Sequence, residues 1–123
     1  MDSDLTARLE LFELSGQTPD GVVPFVASEL KGLDITGGLT DDNAGTFTSH
    51  LIMALTRLLT GDDSVANGET GSPAYQEVVA EVPEALSAAQ ELASRISDRF
   101  NLTVPLAELE FLTIHLATIM QIN

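Results

Sequence analysis

The 123-residue chain contains no cysteine. That removes disulfides, thiolate nucleophiles and cysteine-based zinc sites, and it suits the cytoplasm. Positive charge is almost as scarce. Arg8, Lys31, Arg57, Arg95 and Arg99 are the five bases, against 19 acids, for a formal charge of −14. Nucleic-acid binding draws on Lys and Arg at phosphates, and anionic membranes draw on the same residues, so neither is an expected partner. No apolar run reaches the ~20 residues of a membrane span. The opening MDSDLTARLEL lacks the basic start and apolar stretch of a signal peptide. A soluble, cytoplasmic protein is expected. There is no repeat, no low-complexity stretch and no segment with the alternation of a strand.

What is present reads as helix. Hydrophobic residues make up 44% of the chain, enough for one domain with a real core. Leu5, Leu9 and Phe12 give residues 4–15 helical spacing, and GVVPFVASELK, 21–31, tolerates Pro24 in a first turn. GLDITGG, 32–38, reads as a turn. Thr40-Asp41-Asp42-Asn43 reads as a helix start, with Gly61 just past the end of a helix striped by Phe47, Leu51, Ala54 and Leu58. GDDSVANGETGSP, 61–73, reads as a polar loop. A short helix over 75–82 follows, then one from Pro83 to Phe100 striped by Leu86, Ala89, Ala93, Ile96 and Phe100, with Asn101 as its stop. Pro105 opens a last helix, to about Gln121. The expectation is an all-α, compact bundle of about five to six helices.

Only two histidines occur, and both sit in the most apolar helical stretches: His50 in FTSHLIMALTRLL and His115 in FLTIHLATIM. Each has two readings. It is a core residue with satisfied ring nitrogens, or it is a nucleophile, general base or metal ligand. Arg57 lies seven residues after His50, and Glu108 seven before His115, in each case two helical turns away on the same face. Arg57 suits an anionic group delivered to His50. Metal is the weakest option, because there is no His-x-x-x-His pair. Ser49, Thr46, Thr48 and Thr113 form no nucleophile elbow or Ser-His-Asp pattern, and no glycine-rich loop carries the lysine of a phosphate-binding loop. An ordinary enzyme is not expected, and no cofactor.

The ordered set of these residues resembles the PTS regulation domain, or PRD, of bacterial transcriptional antiterminators and activators. The early pair is His50 and Arg57. The late motif runs Pro105, Glu108, Phe111, Ile114, His115, Leu116, and the two histidines stand 65 residues apart. The resemblance covers roughly residues 39–121. It divides the chain into a helical extension, 1–38, and a PRD-like domain, 39–123. Two positions depart from the usual pattern. Ser49 stands where many members have an Asp that orients the imidazole, and Glu110 where many have a small residue. No basic RNA-binding segment, helix-turn-helix or second PRD accompanies the domain, so the resemblance is to a free-standing PRD protein.

The resemblance implies a compact helical bundle that regulates in response to the phosphoenolpyruvate:sugar phosphotransferase system. His50 and His115 would be its phosphorylation candidates, supported by Arg57, Glu108 and Ser49. HPr or a sugar-specific EIIB component would be the donor, and a homodimer the assembly. Two other readings stay open. One is a PRD-fold adaptor that is not phosphorylated. The other is a small metal-binding enzyme subunit built on the histidines and carboxylates.

Overall fold

The computed structural model describes residues 1–34, 38–62 and 68–122, with the backbone alone at 122. Among these residues there are six helices and no strand: α1 Ser3–Ser15, α2 Val22–Leu33, α3 Asp41–Leu59, α4 Pro73–Glu81, α5 Pro83–Phe100 and α6 Leu106–Ile122. The chain is all-α, as expected. The middle of the expected turn over 32–38 and of the expected loop over 61–73 lies outside the described residues. No described helix is long and apolar enough to cross a membrane.

The chain forms two compact units. One is Met1–Thr56 with the C-terminal end of the chain, the other Arg57–Met120. In the first, α1 packs on α2. Leu5 and Leu9 of α1, Val22, Val26 and Leu30 of α2, and Phe47, Leu51, Ile52 and Leu55 of α3 are buried. Each fully buried large aliphatic or aromatic side chain contributes roughly 1.5–3 kcal/mol relative to an exposed one.

The start of α3 explains why it begins where it does. The Thr40 hydroxyl accepts from the Asn43 backbone N–H (3.3 Å), and the Asn43 side-chain oxygen accepts from the Thr40 N–H (2.8 Å). This is a reciprocal cap, with Asn in place of the usual Glu or Gln. Asp2 caps α1 by accepting from the Leu5 N–H at 2.8 Å, and the same carboxylate accepts from the Asp41 N–H at 3.2 and 3.3 Å. At the other end Gly61, at φ 82°, lets the Asp62 N–H reach back to the Arg57 carbonyl (2.8 Å) and its own N–H to Leu58 (3.4 Å). These two bonds satisfy carbonyls that the helix end would otherwise leave open.

In the second unit α4 and α5 pack together, separated by Val82 alone. Val82 caps the end of α4 and precedes Pro83, which has no N–H to continue the ladder and holds its predecessor away from helical backbone. The buried stripe of α5 is Ala85, Ala89, Leu92 and Ile96. That corrects the expected stripe. Leu86, Ala93 and Phe100 are half-buried on its flank. Both sets have helical spacing, and alanine is too small for composition to decide between them. Asn101 ends α5 at φ 55°, a left-handed conformation that Asn tolerates because its side chain bonds locally.

Candidate functional site

His50 lies in α3, within the first unit, and is half-buried. On one side its helix neighbours Thr46 and Met53, four residues before it and three after, are exposed; on the other Phe47 and Ala54, three before and four after, are buried, so His50 stands at the border between the two faces of the helix. The adjoining stripe, Phe47, Leu51 and Ala54, is buried as the spacing predicted, with Leu58 half-buried at its end. Arg57 follows on α3, in its last turn, and is exposed. A cation there suits the negative end of the helix dipole.

Ser49 is held by a residue that the sequence offered no reason to choose. Arg8, from α1, donates through Nη1 to Ser49 Oγ at 2.8 Å. The same guanidinium donates to Asp41 through Nε (2.6 Å) and Nη2 (2.9 Å), a two-pronged pair with a carboxylate. Asp41, Gly45 and Ser49 stand four residues apart, one ridge of α3, and Arg8 lies along it. Gly45 is part of the arrangement. A Cβ there would stand 3.0 Å from Asp41 Oδ1 and 3.1 Å from Arg8 Nε and Nη2.

The hydrogen bond from Arg8 holds the Asp41 carboxyl below the usual carboxylate range, with the guanidinium's charge adding to it, and the pair raises Arg8 in turn. Asp34 is lowered by the bond from the Met1 amine, then by the Leu39 N–H. A carboxylate depressed in the folded state stabilises fully above its unfolded value of about 3.9 and loses that contribution as pH falls through the folded one. The stability difference between wild type and Arg8→Gln is therefore expected to hold from pH 7 to 5 and to shrink by pH 3. Urea unfolding at the three pH values checks this, and a difference that grows on acidification contradicts it.

His115, Glu108 and Arg57 fall in the second unit. His115 is half-buried on α6 and stacks on Phe111, ring centroids 4.1 Å apart and planes inclined by 27°. Stacking at i, i+4 fixes the ring's tilt without using its nitrogens. Glu108, in the first turn of α6, is buried, and its charge suits the positive end of that helix. Glu110 is buried too, and its Oε1 accepts from the Gly71 N–H at 2.7 Å. A small residue at 110 could not make this bond. Among the described residues every buried side-chain polar atom has a hydrogen-bond partner, and no three of His, Asp and Glu converge as a metal would require.

No curated protein matches the chain. No solved structure matches it either. The PRD domain family matches residues 28–119, from the middle of α2 almost to the end of α6, leaving α1 and Arg8 outside. The match covers well over half of the chain and takes in both histidine helices and the α5 between them, so the chain belongs to the PRD domain family.

Proposed function

We propose that this PRD protein is a regulatory module of the phosphotransferase system that accepts phosphoryl groups on histidine. Membership of the family supports a PTS-related regulatory role in general. The observation that carries the finer reading is the position of His50. It is one of two histidines in the chain, and it stands half-buried at the border of the buried face of α3, with exposed Thr46 and Met53 on one side and buried Phe47 and Ala54 on the other. At that border part of the imidazole stays open to a donor protein while the rest is steadied by the helix packing.

The chemistry is transfer between imidazoles. The unprotonated nitrogen of neutral His50 attacks phosphorus as the P–N bond to the donor's histidine breaks. The proton on the other His50 nitrogen ends, through solvent, on the donor ring, so both imidazoles stay neutral. HPr or an EIIB component is the donor by this reading, and the cytoplasm the place. His115, on α6 and half-buried, is the second acceptor. Each transfer adds ~1.5–2 negative charges to a chain already at −14. In a homodimer that increment favours re-docking or separation of the subunits, which is the switch. Arg57 is one of five bases able to offset it.

Intact-mass analysis after incubation with phosphoenolpyruvate, enzyme I and HPr tests the reading. Wild type is expected to gain acid-labile phosphate, and His50→Ala or His115→Ala to lose one increment each. A folded protein that gains none from active donors refutes it. One observation favours the second reading, an unphosphorylated PRD-fold adaptor. Ser49 supplies no carboxylate to orient the neighbouring imidazole, and its hydroxyl is engaged by Arg8.

A further inference from the structure

We propose that Arg8, carried by a helix that the family match leaves out, is the cation that receives a phosphoryl group on His50, and that α1 thereby senses the modification. This rests on His50 being able to carry phosphate, not on which protein delivers it.

Three observations converge. The first is reach. Arg8 Nη1 is 2.8 Å from Ser49 Oγ, and Ser49 immediately precedes His50. Successive helix positions are about 100° apart, so the guanidinium stands one side-chain position from the imidazole. The second is donor capacity. The three bonds to Asp41 and Ser49 engage three of the five N–H groups of the guanidinium, leaving one on each terminal nitrogen. The third is the space beneath. Gly45 provides a bed that any side chain would narrow, with a Cβ 3.0–3.1 Å from both members of the pair. A guanidinium laid along that ridge can slide from one anion to another without leaving the helix surface.

Asp41 then acts as a placeholder. It holds the fork of Arg8 two turns before Ser49 while His50 is unmodified. A phosphoryl group offers three acceptor oxygens and up to twice the charge of a carboxylate, and it matches the same bidentate geometry. It competes with Asp41 for Arg8. Asp41 is also where α1 is tied by its first turn, since the Asp41 N–H donates to the Asp2 carboxylate. A change of partner at Arg8 is therefore felt at both ends of one helix contact, and α1 adds to the family fold a reporter of the state of His50.

The test avoids the phosphotransferase proteins. Phosphoramidate transfers its phosphoryl group to imidazole nitrogen, releasing ammonia, so the His115→Ala variant can be labelled at His50 alone. Phosphorus NMR against pH then reads the second ionisation of the phosphoryl group, ordinarily near ~6 for a phosphorylated side chain. A nearby cation lowers it. Adding Arg8→Gln is expected to raise it by about one unit, a tenfold change in proton affinity. Arg8→Lys should restore part of the shift, and Asp41→Asn should lower the value further. Should Arg8→Gln fail to fold, the Nε–H resonance of Arg8 in the labelled His115→Ala protein gives the same answer without an Arg8 substitution, because it must move on labelling. Superimposable titrations, an unmoved Arg8 resonance, or no labelling of His50 overturns the proposal. Labelling by phosphoramidate with none from HPr would remove the proposed donor and leave the role of Arg8 to be decided by the titration.

Discussion

Phe47→Ala is expected to lower stability by about 3–5 kcal/mol, through lost burial and the cavity left behind. Phe47 is 1% exposed and among the largest fully buried side chains of the protein. It belongs to the buried stripe of α3. Domains of this size are stable by only about 5–15 kcal/mol, so the variant should sit near its unfolding midpoint under mild conditions. Leu14→Ala provides the contrast, because Leu14 is 83% exposed and its loss should stay within about 0.5 kcal/mol. Urea unfolding followed by circular dichroism measures both. A loss below about 1 kcal/mol for Phe47→Ala would mean that this stripe is not the core described here.

The second large effect concerns a polar residue. Glu110→Ala removes the acceptor of the Gly71 N–H and is expected to cost about 1–3 kcal/mol. Glu110→Gln keeps an oxygen in the same place and should recover most of that. The comparison separates the hydrogen bond from the charge. Equal losses in the two variants would show that the carboxylate acts through its charge and not through Gly71. The bond also joins positions 39 residues apart, so its loss should loosen the segment ahead of α4, read as faster exchange of the Tyr75 and Gln76 amides.

Much of this fold was legible in the sequence, because its helices announce their ends. The Thr40–Asn43 pair, Gly61, Pro83 and Asn101 each do locally what their chemistry suggests, and no distant residue is needed to place them. The spacing of Phe47, Leu51 and Ala54 gave the inward stripe of α3, while the half-buried place of His50 at the border of that stripe was not decided by the pattern. The register of α5 was less legible. Leucine at 86 outweighs alanine at 85 in any reading of hydrophobicity, yet Ala85 and Ala89 are the fully buried positions and Leu86 is half-buried. Small residues mark close packing, and a pattern weighted by apolar size passes over them.

The candidate site divides in the same way. Its histidines, Arg57 and Glu108 could be found by motif. Arg8 could not, because nothing in a sequence pairs positions 8 and 41, and α1 lies outside the family's pattern. The one signal available was scarcity. In a chain with five bases among 19 acids, an arginine on an otherwise acidic helix invites a search for the carboxylate it serves. Glu110 taught a similar lesson. A departure from the family at one position made sense only once its partner, Gly71, was seen.

The Asp2 carboxylate has a consequence for motion. It accepts from the Leu5 N–H in α1 and from the Asp41 N–H at the start of α3. One side chain thus closes two helix ends that are 39 residues apart in the chain. Fraying, which ordinarily runs inward from each terminus independently, is joined at this point. When the first turn of α1 opens, the amide of Asp41 loses its acceptor in the same event, so the two turns breathe as one unit and exchange their protons together.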